Sequence, residues 1–253
     1  MDLDLQKAGV FKRFSAWMCD GVAFLLVALC IGLLLSSVLG YDRNYKILVD
    51  GYARYEEKYG IDFDITQEEY DALSDEVKQI YTQANRELNS DQEVVRAYAM
   101  VKTLPLLLIS ISILVSSILL EFVIPLIFKN GQTLGKKLFG IAVVRTNCVK
   151  ITSPALFIRA ILGKCTMETM VPVCIIIMIL SGSLGVVGFI VLALIALLQL
   201  IMLIITKTNS AIHDLLADTV AVDFASQRIF ESDEDLLLYK QKVHEEAVRN
   251  ARY

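Results

Sequence analysis

The sequence predicts an all-α membrane protein with four transmembrane helices, a helical extracytoplasmic insert and cytoplasmic termini. Two bulk properties support this fold class. Hydrophobic residues make up 55% of the 253 residues, and the mean hydropathy is +0.56, which is high for a soluble domain. The third observation is that four segments reach the length of about 20 apolar residues that a membrane-spanning helix requires. These segments are approximately residues 14–39, 104–128, 157–181 and 184–205.

The first segment is predicted to be a retained transmembrane helix. Its apolar run of about 25 residues exceeds the roughly 7–15 residues of a signal-peptide core. Only Gly182 and Ser183 separate the third and fourth segments, so these two helices are expected to form a tight hairpin. Asp20 interrupts the first segment, and a carboxylate inside a span needs a partner or a wet cavity.

Lysine and arginine residues in the short flanks of the segments predict the orientation, because such residues concentrate on the cytoplasmic side. If the chain crosses the membrane four times, all of these basic flanks lie on the same side of it. Both termini and the 129–155 loop are therefore expected in the cytoplasm, at the cell (plasma) membrane. The flanking residues are Lys7, Lys12, Arg13, Lys129, Lys136, Lys137, Arg145, Lys150 and Lys207.

Composition divides the chain into four predicted parts. Residues 1–40 hold the N-terminus and the first span. Residues 41–103 form an acidic insert, with 14 Asp/Glu against 8 Lys/Arg between 42 and 102. Residues 104–224 hold the other three spans, and 225–253 form a charged tail helix that is expected to be solvated.

Capping signals predict where the helices of the insert begin. Thr66 and Glu69 have the spacing of a capping box. Ser74 and Ser90 are expected to cap the next two helices, and the second of these is expected to continue into the second span. The eight tyrosines of the insert either bind a ligand or pack a small helical cap, and packing is favoured.

Ionisable residues within the spans predict a polar cluster in the cytoplasmic half of the membrane. Arg13 and Asp20 are seven residues apart, so they share a helix face, with Asp20 about 10 Å deeper. Glu121 lies eight residues before Lys129, which places it about 12 Å from the same boundary. Asp20 and Glu121 are thus expected at matching depth, with Arg13 as their charge partner.

The third span adds Arg159, Lys164 and Glu168 to this predicted cluster. Lys164 and Glu168 have the i,i+4 spacing at which side chains of an α-helix meet. An ionisable group in hydrocarbon costs about 2.5–3.5 kcal/mol on insertion scales, so such groups are expected to face one another. Two interpretations stay open: the cluster locks the packing of the helices, or it binds a cation or relays protons.

His213, Asp214 and Asp218 follow the fourth span. Asp214 and Asp218 have i,i+4 spacing, so together with Lys136 they are a candidate cytoplasmic mouth that captures a cation or a proton. Alternatively, Asp214 pairs with Arg13 or Lys136 and fixes the helix ends, which is favoured because basic residues crowd that boundary. His213 beside a carboxylate is a candidate pH-responsive group.

The loop NGQTLGKKLFGIAVVRT, residues 130–146, is predicted to be structural. It differs from a phosphate-binding loop because the spacing is one residue short, Lys137 replaces the hydroxyl residue and no strand precedes it. Its glycines permit turns and close backbone approach. GIAVVRT is predicted to pair with TVAVD, which forms a two-stranded clip between 140–146 and 218–223.

Three of these blocks together resemble the RDD family of membrane proteins. They are the Arg-x6-Asp pair at the first span, the Gly-x-Thr-x-Gly-Lys loop, and SAIHDLLADTVAVD at 210–223, which is similar to the His-Asp-x-x-Ala-x-Thr ending of the family. The resemblance covers about 8–224 and implies that the family's arginine and two aspartates are Arg13, Asp20 and Asp214. It also implies transport, with some members similar to sodium/proton antiporters, or a role as a membrane accessory or assembly factor.

The resemblance, added to the predicted polar cluster, favours transport over other classes of function. The sequence lacks the motifs of hydrolytic nucleophiles and zinc proteases, so no enzyme activity, metal site or cofactor is expected. A net charge of −4 argues against nucleic acid as a partner. We predict exchange of Na⁺ or K⁺ for protons through the cluster within the lipid bilayer. The alternative is a non-transporting scaffold or assembly factor, and a homo-oligomer or a membrane-protein partner remains open.

Overall fold

A computed structural model describes residues 5–206 and 211–250, apart from the side chain of Leu203. Lys207, one of the basic residues that predict the orientation, lies outside the described residues. Within them, four helices are long and apolar enough to cross a membrane, which confirms the predicted all-α membrane fold. These helices are Val10–Leu39, Gln92–Phe128, Ser153–Leu180 and Gly185–Met202.

The elements are, in chain order, α1 (Val10–Leu39), α2 (Tyr41–Tyr59), α3 (Gln67–Asp71), α4 (Asp75–Leu88), α5 (Gln92–Ser117), the π-helix π1 (Ile118–Val123), α6 (Ile124–Phe128), α7 (Leu134–Leu138), β1 (Ile141–Arg145), α8 (Ser153–Phe157), the π-helix π2 (Ile158–Met170), α9 (Val171–Leu180), α10 (Gly185–Ile205), α11 (Ile212–Leu216), β2 (Thr219–Asp223) and α12 (Asp233–Asn250). The second span therefore consists of α5, π1 and α6. The third consists of α8, π2 and α9. Hydrogen bonds in the two π-helices run from residue i to residue i+5.

The described residues divide into two compact units. One unit is Leu29–Ser112, which contains the insert. The other consists of the described residues before Leu29 and after Ser112. All residues of the predicted polar cluster belong to the second unit, so that unit positions the candidate site.

The insert is helical, as predicted. Thr66 begins α3 with the predicted capping box: its hydroxyl accepts from the Glu69 N–H (3.3 Å), and the Glu69 carboxylate accepts from the Thr66 N–H (2.8 Å). Ser74 precedes α4 but makes no side-chain capping bond. Tyr81 packs edge-to-face against Tyr70, which agrees with a packing role for the aromatic residues.

The predicted cap at Ser90 is wrong by one residue. The Asp91 carboxylate accepts from the N–H groups of Glu93 (3.0 Å) and Val94 (3.4 Å) at the start of α5. The Ser90 hydroxyl instead donates to the carbonyl oxygen of Arg86 (2.8 Å), in the preceding helix. From there α5 continues without interruption into the second span, as predicted.

The predicted clip is confirmed. β1 pairs antiparallel with β2, and Val144 lies opposite Val220. Both strands are buried over four of their five residues, because alternating side chains fill the space on both faces of the ribbon. Phe139 packs on one face and Ile229 on the other. The clip therefore joins the loop after the second span to the segment after the fourth.

The tail is not fully solvated, contrary to the prediction. Leu236 in the second turn of α12 is buried against Cys148, Val149 and Phe230. Asp233 at its start pairs with Arg145 of β1 at 3.0 Å. The tail helix is therefore attached to the clip at its first turns, while most of its remaining residues are exposed.

Candidate functional site

The Asp20 carboxylate connects the first span to the loop after the second. One of its oxygens accepts from the Thr133 hydroxyl at 2.5 Å, and the other accepts from the Gly135 N–H at 2.7 Å. Thr133 also caps α7, because its hydroxyl accepts from the Lys136 N–H at 3.4 Å. Asp20 is only 9% exposed, so the aspartate inside the apolar span is directed into the protein, where each of its oxygens accepts one hydrogen bond.

Helix α7 approaches α1 so closely that only glycine fits at position 135. A Cβ atom on Gly135 would lie 2.2 Å from the carbonyl oxygen of Ala16 and 3.0 Å from Cγ of Asp20. Such distances are far below van der Waals contact. The predicted close backbone approach of the glycine loop is therefore located at Gly135, against the helix turn that precedes Asp20.

Arg13 is not the charge partner of Asp20 and Glu121, contrary to the prediction. Its Nη2 atom lies 4.0 Å from Oδ2 of Asp214. Asp20 follows Arg13 by seven residues, or about 10 Å along α1, so the guanidinium meets the aspartate beyond the fourth span instead. This pairing is the alternative that the sequence favoured for Asp214.

Glu121 and Lys164 form an ion pair between π1 and π2. The predicted contact between Lys164 and Glu168 is absent from the described ion pairs, since Glu168 contacts His213 instead. The reason is tertiary, because Lys164 is held by Glu121 of π1 and Glu168 by His213 of α11.

The π-helical geometry of π2 decides which side chains face the site. An α-helix rotates by about 100° per residue, so Arg159 and Glu168, nine residues apart, would point about 180° away from each other. In a π-helix, residues four and five apart lie near one face, because the wider turn closes at i+5. Arg159, Lys164 and Glu168 have these spacings, and all three line one cavity.

Arg159 and Asp214 form the most deeply buried ion pair of the site. Their side chains are 7% and 2% exposed, and they are in direct contact. Arg159 also donates to the Thr219 hydroxyl at 2.7 Å. Burial alone would raise the pKa of Asp214, but Arg159, His213 and Lys136 outweigh it and hold that pKa well below its usual range. Asp214 is therefore ionised.

His213 lies between the two carboxylates Glu168 and Asp214. Its Nδ1 atom is 2.7 Å from Oε1 of Glu168, and its Nε2 atom is 3.6 Å from Oδ2 of Asp214. Burial and the Arg159 charge lower the pKa of His213, although both carboxylates oppose this shift. His213 is therefore neutral near pH 7.

Asp218 does not join Asp214 in a mouth for cations. Helix α11 ends at Leu216, so the predicted i,i+4 relation does not arise. Asp218 adopts a positive φ of 50° and accepts from the Thr146 hydroxyl at 2.7 Å, where it is exposed. Its observed role is to tie the end of β1 to the start of β2.

Most of the charged side chains described above surround a cavity of about 730 Å³. Its charged lining comes from α1, α7, π2 and α11, and its apolar lining includes Trp17 and Leu200. We call the following residues the polar cluster: Arg13, Asp20, Glu121, Lys136, Arg159, Lys164, Glu168, His213 and Asp214. All except Glu121 line the cavity, and Glu121 is attached through Lys164.

Lys136 is the base of the polar cluster whose charge lacks a direct partner. Within the described ranges, its ammonium group forms no hydrogen bond and has no carboxylate oxygen within 4.0 Å. Burial lowers the pKa of Lys136 to about 8, with Arg159 and Lys164 adding to this shift and with Glu121 and Asp20 opposing it. The charge of Lys136 is therefore lost as the pH rises through about 8.

We expect this titration to be measurable by competitive labelling with a small amine-reactive reagent and mass spectrometry. Labelling of Lys136 should rise with a midpoint near pH 8, because only the neutral amine reacts. The exposed neighbour Lys137 provides an internal reference in the same digest. A Lys136 labelling curve that coincides with that of Lys137 would show that the cavity does not perturb this amine.

A model of the RDD family matches residues 7–218 of the chain. The chain belongs to the RDD family. A search of curated proteins and a search of solved structures each found no match. The matched range contains the whole polar cluster, including the three residues that the sequence resemblance selects. In this RDD protein, Arg13 and Asp214 lie within ion-pair distance of each other, and Asp20 holds the glycine loop.

The sequence did not reveal two neutral partners of the RDD site. Thr133 binds Asp20, and Thr219 binds both Arg159 and Asp214. The signal for Thr133 was available, since a threonine that precedes a short helix is a typical cap. Thr219 begins a strand, and no local sequence pattern predicts that its hydroxyl contacts a buried ion pair.

Proposed function

We propose that this RDD protein exchanges a monovalent cation, Na⁺ or K⁺, for protons through the cavity of the polar cluster. The observation that supports this function is the environment of Asp20. Its carboxylate lines the cavity, and its hydrogen-bond donors are the neutral Thr133 hydroxyl and Gly135 N–H. No direct ion pair among the described residues cancels its negative charge, so it attracts a small cation.

Glu121 and Asp214 are less suited to this task, because each contacts a base directly. Glu121 contacts Lys164, and Asp214 contacts Arg159. A cation that bound to either one would have to displace the base that it contacts. Glu121 was a candidate on sequence grounds, so the proposal now assigns the cation to Asp20 and a structural role to Glu121.

The basic flanks of the spans support the orientation that we propose. With both termini in the cytoplasm of a cell whose plasma membrane holds the protein, the polar cluster lies in the cytoplasmic half. Asp20 would then take up or release ions on that side. Anionic lipid on the same side attracts the basic residues of the loop after the second span.

A scaffold or assembly role is the second candidate. It is supported by the number of direct pairs within the polar cluster, which tie α1, π1, π2 and α11 to one another. Such a network also suits a protein whose only task is to hold its shape against a partner. This candidate predicts no ion flux from the purified protein and a fixed membrane-protein partner that copurifies with it.

The test of the proposed function uses the full chain in liposomes that contain an internal pH dye. An inward Na⁺ or K⁺ gradient should drive protons out of the vesicles. Asp20→Asn should reduce this flux at least tenfold because it removes the negative charge. The control is Asp50→Asn, which changes an exposed aspartate of the insert and should leave the flux unchanged.

Wild-type protein that moves no protons under either gradient would contradict the proposal and favour the scaffold. Equal flux in wild type and Asp20→Asn would also contradict it. Thermal unfolding of each variant before reconstitution shows whether Asp20→Asn is folded, since Asn retains the size of the side chain and one acceptor oxygen.

A further inference from the structure

We propose that Lys136 is the proton-carrying group of this exchange, so that one proton leaves the cavity for each monovalent cation that enters. The inference rests on the proposed cation/proton exchange and adds to it a residue and a stoichiometry. It is carried by the charge balance of the polar cluster and by the position of the Lys136 ammonium group.

The described residues of the polar cluster are balanced in charge. The acids and the bases number four each, so the net charge is zero when all are ionised and His213 is neutral. A buried cluster of this kind resists any change in net charge, because uncompensated charge is costly where water is scarce. The acids are Asp20, Glu121, Glu168 and Asp214, and the bases are Arg13, Lys136, Arg159 and Lys164.

Lys136 is the base that can release its proton at the lowest cost. Arg13 and Arg159 stay protonated, because a guanidinium does not deprotonate in proteins. Lys164 is held by its ion pair with Glu121. The Lys136 ammonium forms no such pair within the described part of the chain, and it lines the cavity, so its proton has a route to water.

Charged groups on four neighbouring elements act on Lys136. Glu121 on π1, Asp20 on α1 and Asp214 on α11 stabilise the ammonium, whereas Arg159 and Lys164 on π2 destabilise it. The carboxylates therefore favour the protonated form of Lys136, and the bases favour its neutral form. A positive charge that enters near Asp20 adds to the repulsion and shifts Lys136 toward the neutral amine.

The exchange step is balanced in atoms and charge. The Lys136 ammonium gives its proton to water and becomes a neutral amine, which leaves the polar cluster at −1. One Na⁺ or K⁺ beside Asp20 restores zero charge. Reprotonation of Lys136 expels the cation by the same repulsion. By linkage, the cation must lower the apparent pKa of Lys136, and protonation must weaken cation binding by the same factor.

The first arm of the test measures this competition without any flux. Competitive labelling of Lys136 is repeated in NaCl, KCl and choline chloride at equal ionic strength. A bound cation at about ten times its dissociation constant should lower the labelling midpoint by about one pH unit. Lys137 in the same digest should not respond. Identical midpoints in all three salts would overturn the inference.

The second arm measures exchange by Lys136→Arg, with Lys137→Arg as the matched control. Arginine keeps the positive charge and supports folding, but it cannot release a proton at physiological pH. Lys136→Arg should therefore lose at least nine-tenths of the cation-driven proton flux, and Lys137→Arg should retain it. Wild-type flux from Lys136→Arg would overturn the inference while leaving the proposed exchange intact.

The stoichiometry gives a third readout in wild-type vesicles. One-for-one exchange moves no net charge, so a diffusion potential set with a gradient of the permeant anion thiocyanate should not change the rate of Na⁺-driven proton efflux. A rate that responds to the potential would contradict one-for-one exchange. Wild-type protein without flux would contradict the proposed cation/proton exchange. The labelling of Lys136 in the three salts would then show separately whether a monovalent cation and the Lys136 proton compete.

Discussion

Arg159→Met is expected to lower the free energy of unfolding by about 3–5 kcal/mol, the cost of removing one partner from a buried ion pair. Asp214 is 2% exposed and would lose its direct contact with a guanidinium. Arg13 at 4.0 Å compensates only in part. The Thr219 hydroxyl would lose a partner as well. Reversible denaturation in mixed micelles measures the loss.

Arg159→Met with Asp214→Leu provides the internal check. Replacing both partners removes the uncompensated charge, so the double variant should recover a large part of the stability. Arg96→Met changes an exposed arginine of α5 and should stay within about 0.5 kcal/mol of wild type. A double variant less stable than Arg159→Met alone would show that the pair is not the source of the effect.

Gly135→Ala is expected to separate α7 from α1. The added Cβ atom would lie 2.2 Å from the carbonyl oxygen of Ala16, which is backbone and does not yield easily. Overpacking and the loss of the buried hydrogen bonds of Asp20 together should cost about 3 kcal/mol. The same variant should lose cation-driven proton flux, because Asp20 would lose its two donors.

Gly21→Ala is the matched control for this prediction. It lies next to Asp20 in α1, and a Cβ atom there would meet nothing within 4 Å. Alanine also favours helix over glycine by about 1 kcal/mol, so Gly21→Ala should be as stable as wild type or more stable. If Gly135→Ala proved as stable as Gly21→Ala, the close packing of α7 on α1 would be wrong.

The spans and the clip could be predicted because each depends on a local pattern. The length of an apolar run determines whether a helix can cross a bilayer. Alternation in IAVVR and TVAVD predicted two paired strands, whereas their register, with Val144 opposite Val220, comes from the structure. The members of the polar cluster could also be predicted, because they are charged residues inside or beside apolar segments.

The partners within the polar cluster could not be predicted, because they depend on tertiary approach. The i,i+4 spacing suggested that Lys164 and Glu168 would meet, but each contacts a residue of another element, Glu121 or His213. The predicted depth of Asp20 in the membrane suggested that its carboxylate would contact a charged group. The glycine at 135 allows α7 to approach so closely that neutral donors reach Asp20 first.

The ion pair between Glu121 and Lys164 tests most directly whether charges from separate spans neutralise one another. Each single reversal, Glu121→Lys or Lys164→Glu, places like charges together and should destabilise the protein in mixed micelles. The double reversal restores opposite charges and should recover about 1–3 kcal/mol relative to the sum of the single losses. A double variant whose loss equals that sum would contradict a direct pairing of the two spans.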